Sequence, residues 1–118
     1  MIKNWSQFYE SNSIDDELYQ NIIDITRDFE EDCEFNCEVK KVEVNKVVTK
    51  IRIHIQDSLQ RFYTLSDIQQ YLNTLKSYIS EWNLSISVLT HPSGILNLED
   101  FVEEFGYDEF YDLNLIIH

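Results

Sequence analysis

The sequence predicts an α+β fold: a mostly antiparallel four-stranded sheet with helices packed on one face, in the order α-α-β-β-α-β-α-β. Three observations predict it. Apolar residues recur at three- and four-residue steps along residues 14–33 and 65–82, the period of a helix face. Val47, Thr49, Ile51, Ile53 and Ile55 alternate with Val48, Lys50, Arg52, His54 and Gln56, the period of a half-buried strand. Only two Gly and one Pro stand among 118 residues, which leaves few places for long irregular loops. That length suits a single domain over residues 1–118.

Asn4 is placed to cap a short first helix carrying Trp5, Phe8 and Tyr9. Ser13 with Asp16 has capping-box spacing and opens a second helix, with Ile14, Leu18, Ile22, Ile25 and Phe29 on one face and an end near Asp32. Residues 34–56 read as a hairpin turning at Asn45-Lys46, with a bulge near Lys40-Lys41 to reconcile Phe35, Cys37 and Val39 with Val42 and Val44. Thr64 with Asp67 opens a third helix through Leu65, Ile68, Leu72, Leu75, Ile79 and Trp82, flanked by Tyr71 and Tyr78. Leu84, Ile86 and Val88 alternate as a strand, and His91-Pro92-Ser93-Gly94 breaks it. Asn97 caps a helix with Leu98, Phe101, Val102 and Phe105, closed by Gly106 as a C-cap. Leu113, Leu115 and Ile117 form a last strand.

The net charge is −13, and it is concentrated in two blocks. Residues 10–38 hold eleven acids and one base, Arg27; residues 99–118 hold seven acids and no base. Residues 39–61 reverse the sign with six bases against two acids, and the outward side chains of that hairpin balance the acidic helix. At 100° per residue, Glu17, Asp24, Asp28 and Glu31 fall within about 60° of one another, opposite the apolar face. A merely solubilising face mixes signs, whereas this stripe does not. Glu103, Glu104, Asp108 and Asp112 make a second acidic patch, with Tyr107 and Tyr111 interleaved as aromatic anchors.

This charge excludes direct binding to nucleic acid and to anionic membranes, both of which attract Lys and Arg. The complement is a basic protein partner, in particular a nucleic-acid-binding enzyme. No apolar run approaches the ~18 residues of a membrane span, and no secretory signal opens the chain, so a cytoplasmic location is expected. Fourteen Ile, nine Asn and no Ala fit an AT-rich coding sequence, as in a low-GC organism or one of its viruses.

No catalytic residue, metal or cofactor is expected. Cys33 and Cys37 form one close pair with scattered histidines, where a structural zinc site shows two pairs. Ser93 beside Gly94 and His91 is the one nucleophile-like cluster, and it sits in an ordinary Pro-Gly turn. Phosphate cradles need glycines that are not here.

The stretch Leu98-Glu99-Asp100-Phe101-Val102-Glu103-Glu104-Phe105-Gly106-Tyr107-Asp108 resembles a short helix–turn of small phage and mobile-element proteins. In size, acidity and lack of motifs the chain is similar in character to phage anti-CRISPR and anti-restriction proteins. The resemblance implies an inhibitor that occludes a basic nucleic-acid-binding surface by mimicking DNA charge. An immunity protein against a basic toxin such as a nuclease has nearly the same physics. A small structural or adaptor subunit predicts instead a self-complementary apolar patch.

Overall fold

Leu18, Ile22, Thr26 and Phe29 are buried along one side of α1 (Asp16–Asp32), as the three- and four-residue spacing requires. This is a computed structural model, and it describes residues 14–90 and 94–118. The helix expected at Asn4–Tyr9 lies outside those residues, as does Ser13. The N-cap of α1 is Asp15, whose carboxylate accepts the Leu18 N–H at 2.8 Å. A carboxylate directly before the helix satisfies one of its free N–H groups and favours the positive end of its dipole. The helix ends at Cys33, which is extended, and the chain reverses into the sheet.

Strands β1 (Phe35–Val44) and β2 (Val47–Asp57) form the expected hairpin, in register from Phe35↔Asp57 to Val44↔Val47. Asn45 and Lys46 both have positive φ, 53° and 66°, which is the turn whose twist matches that of the strands. The irregularity falls between Val42 and Glu43 rather than at Lys40-Lys41. Alternation therefore carries through Lys41 and turns its side chain towards α1. There its ammonium stands 4.5 Å from the Tyr19 ring centroid and 3.5 Å from Asp16. A long aliphatic stem with its charge at the rim makes that position tolerable.

The sheet has five strands rather than four, all antiparallel, in the order β1-β2-β7-β4-β5. A separate pair joins β3 (Tyr63–Thr64) to β6 (Glu109–Phe110). Strand β4 (Ile86–Thr90) begins after Leu84, because Asn83 takes a left-handed turn at φ 58°. Strand β5 (Gly94–Asn97), which shares only Gly94 with the expected break, is not predicted from the sequence, being too short to display a period. The final strand β7 (Asp112–Ile117) lies between β2 and β4, and Ser85 and His118 exchange backbone hydrogen bonds of 2.8 and 3.0 Å.

On one face, Ile51, Ile53, Ile55, Leu113, Leu115, Ile117 and Val88 join the buried residues of the helices in one core. Thr64 and Asp67 form their capping box on a 3₁₀ turn, Leu65–Ile68, that leads into α2 (Gln69–Ser80). Phe29 stacks on Tyr71 of α2 with centroids 4.2 Å apart. Trp82 falls beyond the end of α2 and is partly exposed rather than part of the core. Helix α3 (Leu98–Phe105) is capped by Asn97, whose side chain accepts the Asp100 N–H. Gly106 is right-handed, so it is no left-handed cap; a Cβ there would meet the Val102 carbonyl oxygen at 2.3 Å. The opposite face of the sheet carries Glu38, Lys40, Arg52, His54 and Asn114 and faces away from the helices.

Candidate protein-binding surface

Helix α1 holds all four residues of the acidic stripe. Glu17, Asp24, Asp28 and Glu31 are exposed along its outer side. From Glu17 to Glu31 the stripe runs about 21 Å at 1.5 Å per residue. Among the described residues no basic group lies within 4.0 Å of any of the four carboxylates. Asp24 accepts a hydrogen bond from Gln20 at 3.2 Å. The expected charge balance from the hairpin is slight. Lys41 reaches Asp16 of α1, while Lys40 pairs along its own strand with Glu38 at 3.1 Å.

The second patch is less continuous. Glu103 and Glu104 are exposed on α3, Asp108 lies in the turn after it, and Asp112 opens β7. Asp112 differs from the rest, because its carboxylate lies 3.6 Å from His54 Nε2 on the open sheet face. Tyr107 is fully exposed, and Tyr111 packs edge-on against Phe62 with centroids 5.8 Å apart. Exposed Leu59 and Phe62 extend this into an apolar patch that the sequence reading missed, since a short loop shows no period. Registers Phe35↔Asp57 and Gln56↔Asp112 bring the end of α1, the 58–62 loop and Asp112 to one end of the sheet. Arg61 closes that loop, bonding Asp57 at 3.0 Å and Glu34 at 3.0 Å.

Between α1 and α2 lies a groove of about 380 Å³. Ile25, Phe29 and Tyr71 give it an apolar floor, and Asp28, Asp32 and Asp67 stand on its rim. Asp67 is engaged by the Thr64 N–H at 2.9 Å, whereas Asp28 and Asp32 have no ion-pair partner among the described residues. Among those residues no three His, Cys, Asp or Glu side chains come together closely enough to hold a metal ion. Only Asp28 of this rim belongs to the stripe legible in the sequence.

Cys33 borders the groove, and both cysteines are free and half-buried. Burial, and then the neighbouring Glu30 charge, push the Cys37 thiol up to about 12, so it stays protonated and inert. His91 and Ser93 lie outside the described residues. A different serine–histidine contact exists, Ser87 Oγ to His118 Nε2 at 2.7 Å, but Ser87 is buried and closed to a substrate. No helix among the described residues is long and apolar enough to cross a membrane.

These features define an acidic two-layer α+β protein, with its negative charge concentrated on the helix layer. No family model matches the sequence, and no curated protein or solved structure matches the chain.

Proposed function

We propose that the protein is an inhibitor that docks its α1 surface on a basic nucleic-acid-binding surface of a partner protein and occludes it. The observation that carries this reading is the row of exposed carboxylates, Glu17, Asp24, Asp28 and Glu31, with no cation within 4.0 Å among the described residues. Like charges spaced three and four apart destabilise a helix by roughly 0.2–0.5 kcal/mol per pair, a cost that a basic partner surface would offset. The groove beside the row supplies an anchor. An Arg or Lys of the partner would lay its aliphatic stem on Ile25, Phe29 and Tyr71 and direct its charge to Asp28 and Asp32. Tyr107, Tyr111 and the acids Glu103, Glu104, Asp108 and Asp112 form a second contact region. Steering by this field gives fast association that slows as salt rises.

The test is capture of a partner from nuclease-treated lysate with the tagged protein, followed by competition. A partner released by salt, and prevented from binding its nucleic acid by the protein, supports the reading. Reversal of all four stripe residues to Lys should abolish capture. If the reversed protein still captures and inhibits, the surface lies elsewhere; if the partner keeps its nucleic acid while bound, occlusion is wrong.

A further inference from the structure

The open face of the sheet has the opposite electrostatic character to the helix layer. Lys40 and Arg52 stand directly across from each other in the β1–β2 register. Like charges in that position are destabilising. Glu38 relieves Lys40 at 3.1 Å, but Arg52 pairs with no carboxylate within 4.0 Å among the described residues. Its neighbour across the β2–β7 register is Ile116, which is 6% exposed. Beside it opens a cavity of about 180 Å³, lined by Glu38, Lys40, Arg52, His54 and Asn114. That is the liquid volume of roughly six waters, ample for a phosphate or a carboxylate group. His54 and Asn114 are themselves register partners, and His54 Nε2 faces Asp112 at 3.6 Å. Among the described residues, neither the Arg52 guanidinium nor the Asn114 amide hydrogen-bonds another side chain.

We infer that this cavity binds a small oxyanion, a phosphate or carboxylate group, centred on the Arg52 guanidinium. The planar fork of Arg presents two parallel N–H donors to such an anion, and the Asn114 amide adds a neutral donor beside it. Lys40, already paired with Glu38, contributes charge rather than a free donor. A bound anion offsets what the Glu38 pair leaves of the Lys40–Arg52 repulsion. This site is independent of the α1 surface, so either can fail without the other.

The experiment is a titration of the whole protein with inorganic phosphate at constant ionic strength, followed by ¹H–¹⁵N amide shifts, with malonate in a parallel series. Saturable shifts at Lys40, Arg52, His54 and Asn114, with Kd on the order of millimolar, are expected. Arg52→Gln should weaken binding about tenfold, the worth of one charge-assisted hydrogen bond. Lys76→Gln, which removes a base already paired with Glu99, should leave it unchanged. Saturation by malonate alone identifies a carboxylate ligand, and saturation by phosphate alone a phosphate. Shifts that stay linear in both series, or that persist unaltered in Arg52→Gln, overturn the site.

Discussion

The Glu30 carboxylate of α1 accepts a 3.0 Å hydrogen bond from the backbone N–H of Cys37, closing the outer edge of β1 from the adjoining helix. Two residues along the strand, the Tyr19 hydroxyl reaches the Val39 carbonyl at 3.4 Å. An edge strand of ten residues is a template for unwanted pairing, and here side chains of the helix occupy it. The acidic helix thus has two duties on two sides. Glu30 guards the sheet, while Glu17, Asp24, Asp28 and Glu31 face outward.

The same contact predicts an alkaline weakness. The Cys37 thiol, ordinarily near 9.0, is raised to about 12 by burial and by Glu30. Burial also raises Tyr63 and Tyr71 above their ordinary 10.0. In the unfolded chain these groups ionise at their ordinary values, so the stability they lend is complete below pH 9 and is lost as pH rises towards 12. The loss approaches about 1.4 kcal/mol per pH unit for each group. Thermal melts from pH 8 to 10.5 should show Tm falling from about pH 9, and Cys37→Ser should remove the first part of the fall. Equal slopes in the two proteins would assign it elsewhere.

At the other end of the pH scale the Asp57–Arg61 contact governs. Hydrogen bonds from the Arg61 side chain, and then from the Leu59 and Arg61 N–H groups, hold the Asp57 carboxyl below its ordinary 3.8. A lowered carboxyl pKa adds stability above 3.8 that disappears as pH falls through the lowered value. Arg61→Gln should therefore move the midpoint of acid unfolding to higher pH and lower the urea midpoint at neutral pH. Lys76→Gln breaks an exposed pair with Glu99 and should cost no more than ~1 kcal/mol. Comparable urea midpoints for the two variants would refute the special position of Asp57.

The helices were legible because their burial is periodic. Leu18 to Phe29 and Leu65 to Ile79 each present one face, and the acid stripe follows as the opposite face of the first. Thr64 with Asp67 and Asn45-Lys46 were legible because capping and hairpin turns are local. Strand β5 was not, since Gly94–Asn97 is held by its pairing with β4. The two-residue strands β3 and β6 are defined by their pairing with each other. The groove and the open-face cavity need α1 beside α2 and β1 beside β2 beside β7, relationships that no single segment encodes. Asp32 and Asp67 are thus legible as a helix end and a cap but not as rim residues of the groove, while Asp28 is legible from the charge pattern.

The stripe makes opposite predictions for stability and for binding. Asp28→Lys places a base four residues after Asp24, turning a repulsive neighbour into a favourable pair worth roughly 0.2–0.5 kcal/mol. The free protein should gain slightly in Tm while capture of a basic partner weakens. A protein that loses both stability and capture would mean that Asp28 has a structural role.

A buried hydroxyl relay gives the sharpest test of the core. Thr26 Oγ1 lies 2.8 Å from the Ile22 carbonyl oxygen and 2.7 Å from the Tyr71 hydroxyl. The carbonyl only accepts, so the Thr26 hydroxyl donates to it, and the Tyr71 hydroxyl must then donate to Thr26. The two ends are not equivalent. Tyr71→Phe leaves Thr26 bonded to Ile22 and removes one hydrogen bond, at a cost of about 0.5–1.5 kcal/mol. Thr26→Val keeps the side-chain shape but strands the Tyr71 hydroxyl in a buried site, at a cost of about 1–3 kcal/mol. The double variant removes both polar ends and should cost less than the two single changes together. Urea unfolding of the four proteins measures the cycle. Strict additivity, or a costlier Tyr71→Phe, would mean that the proton runs the other way or that water reaches the pair.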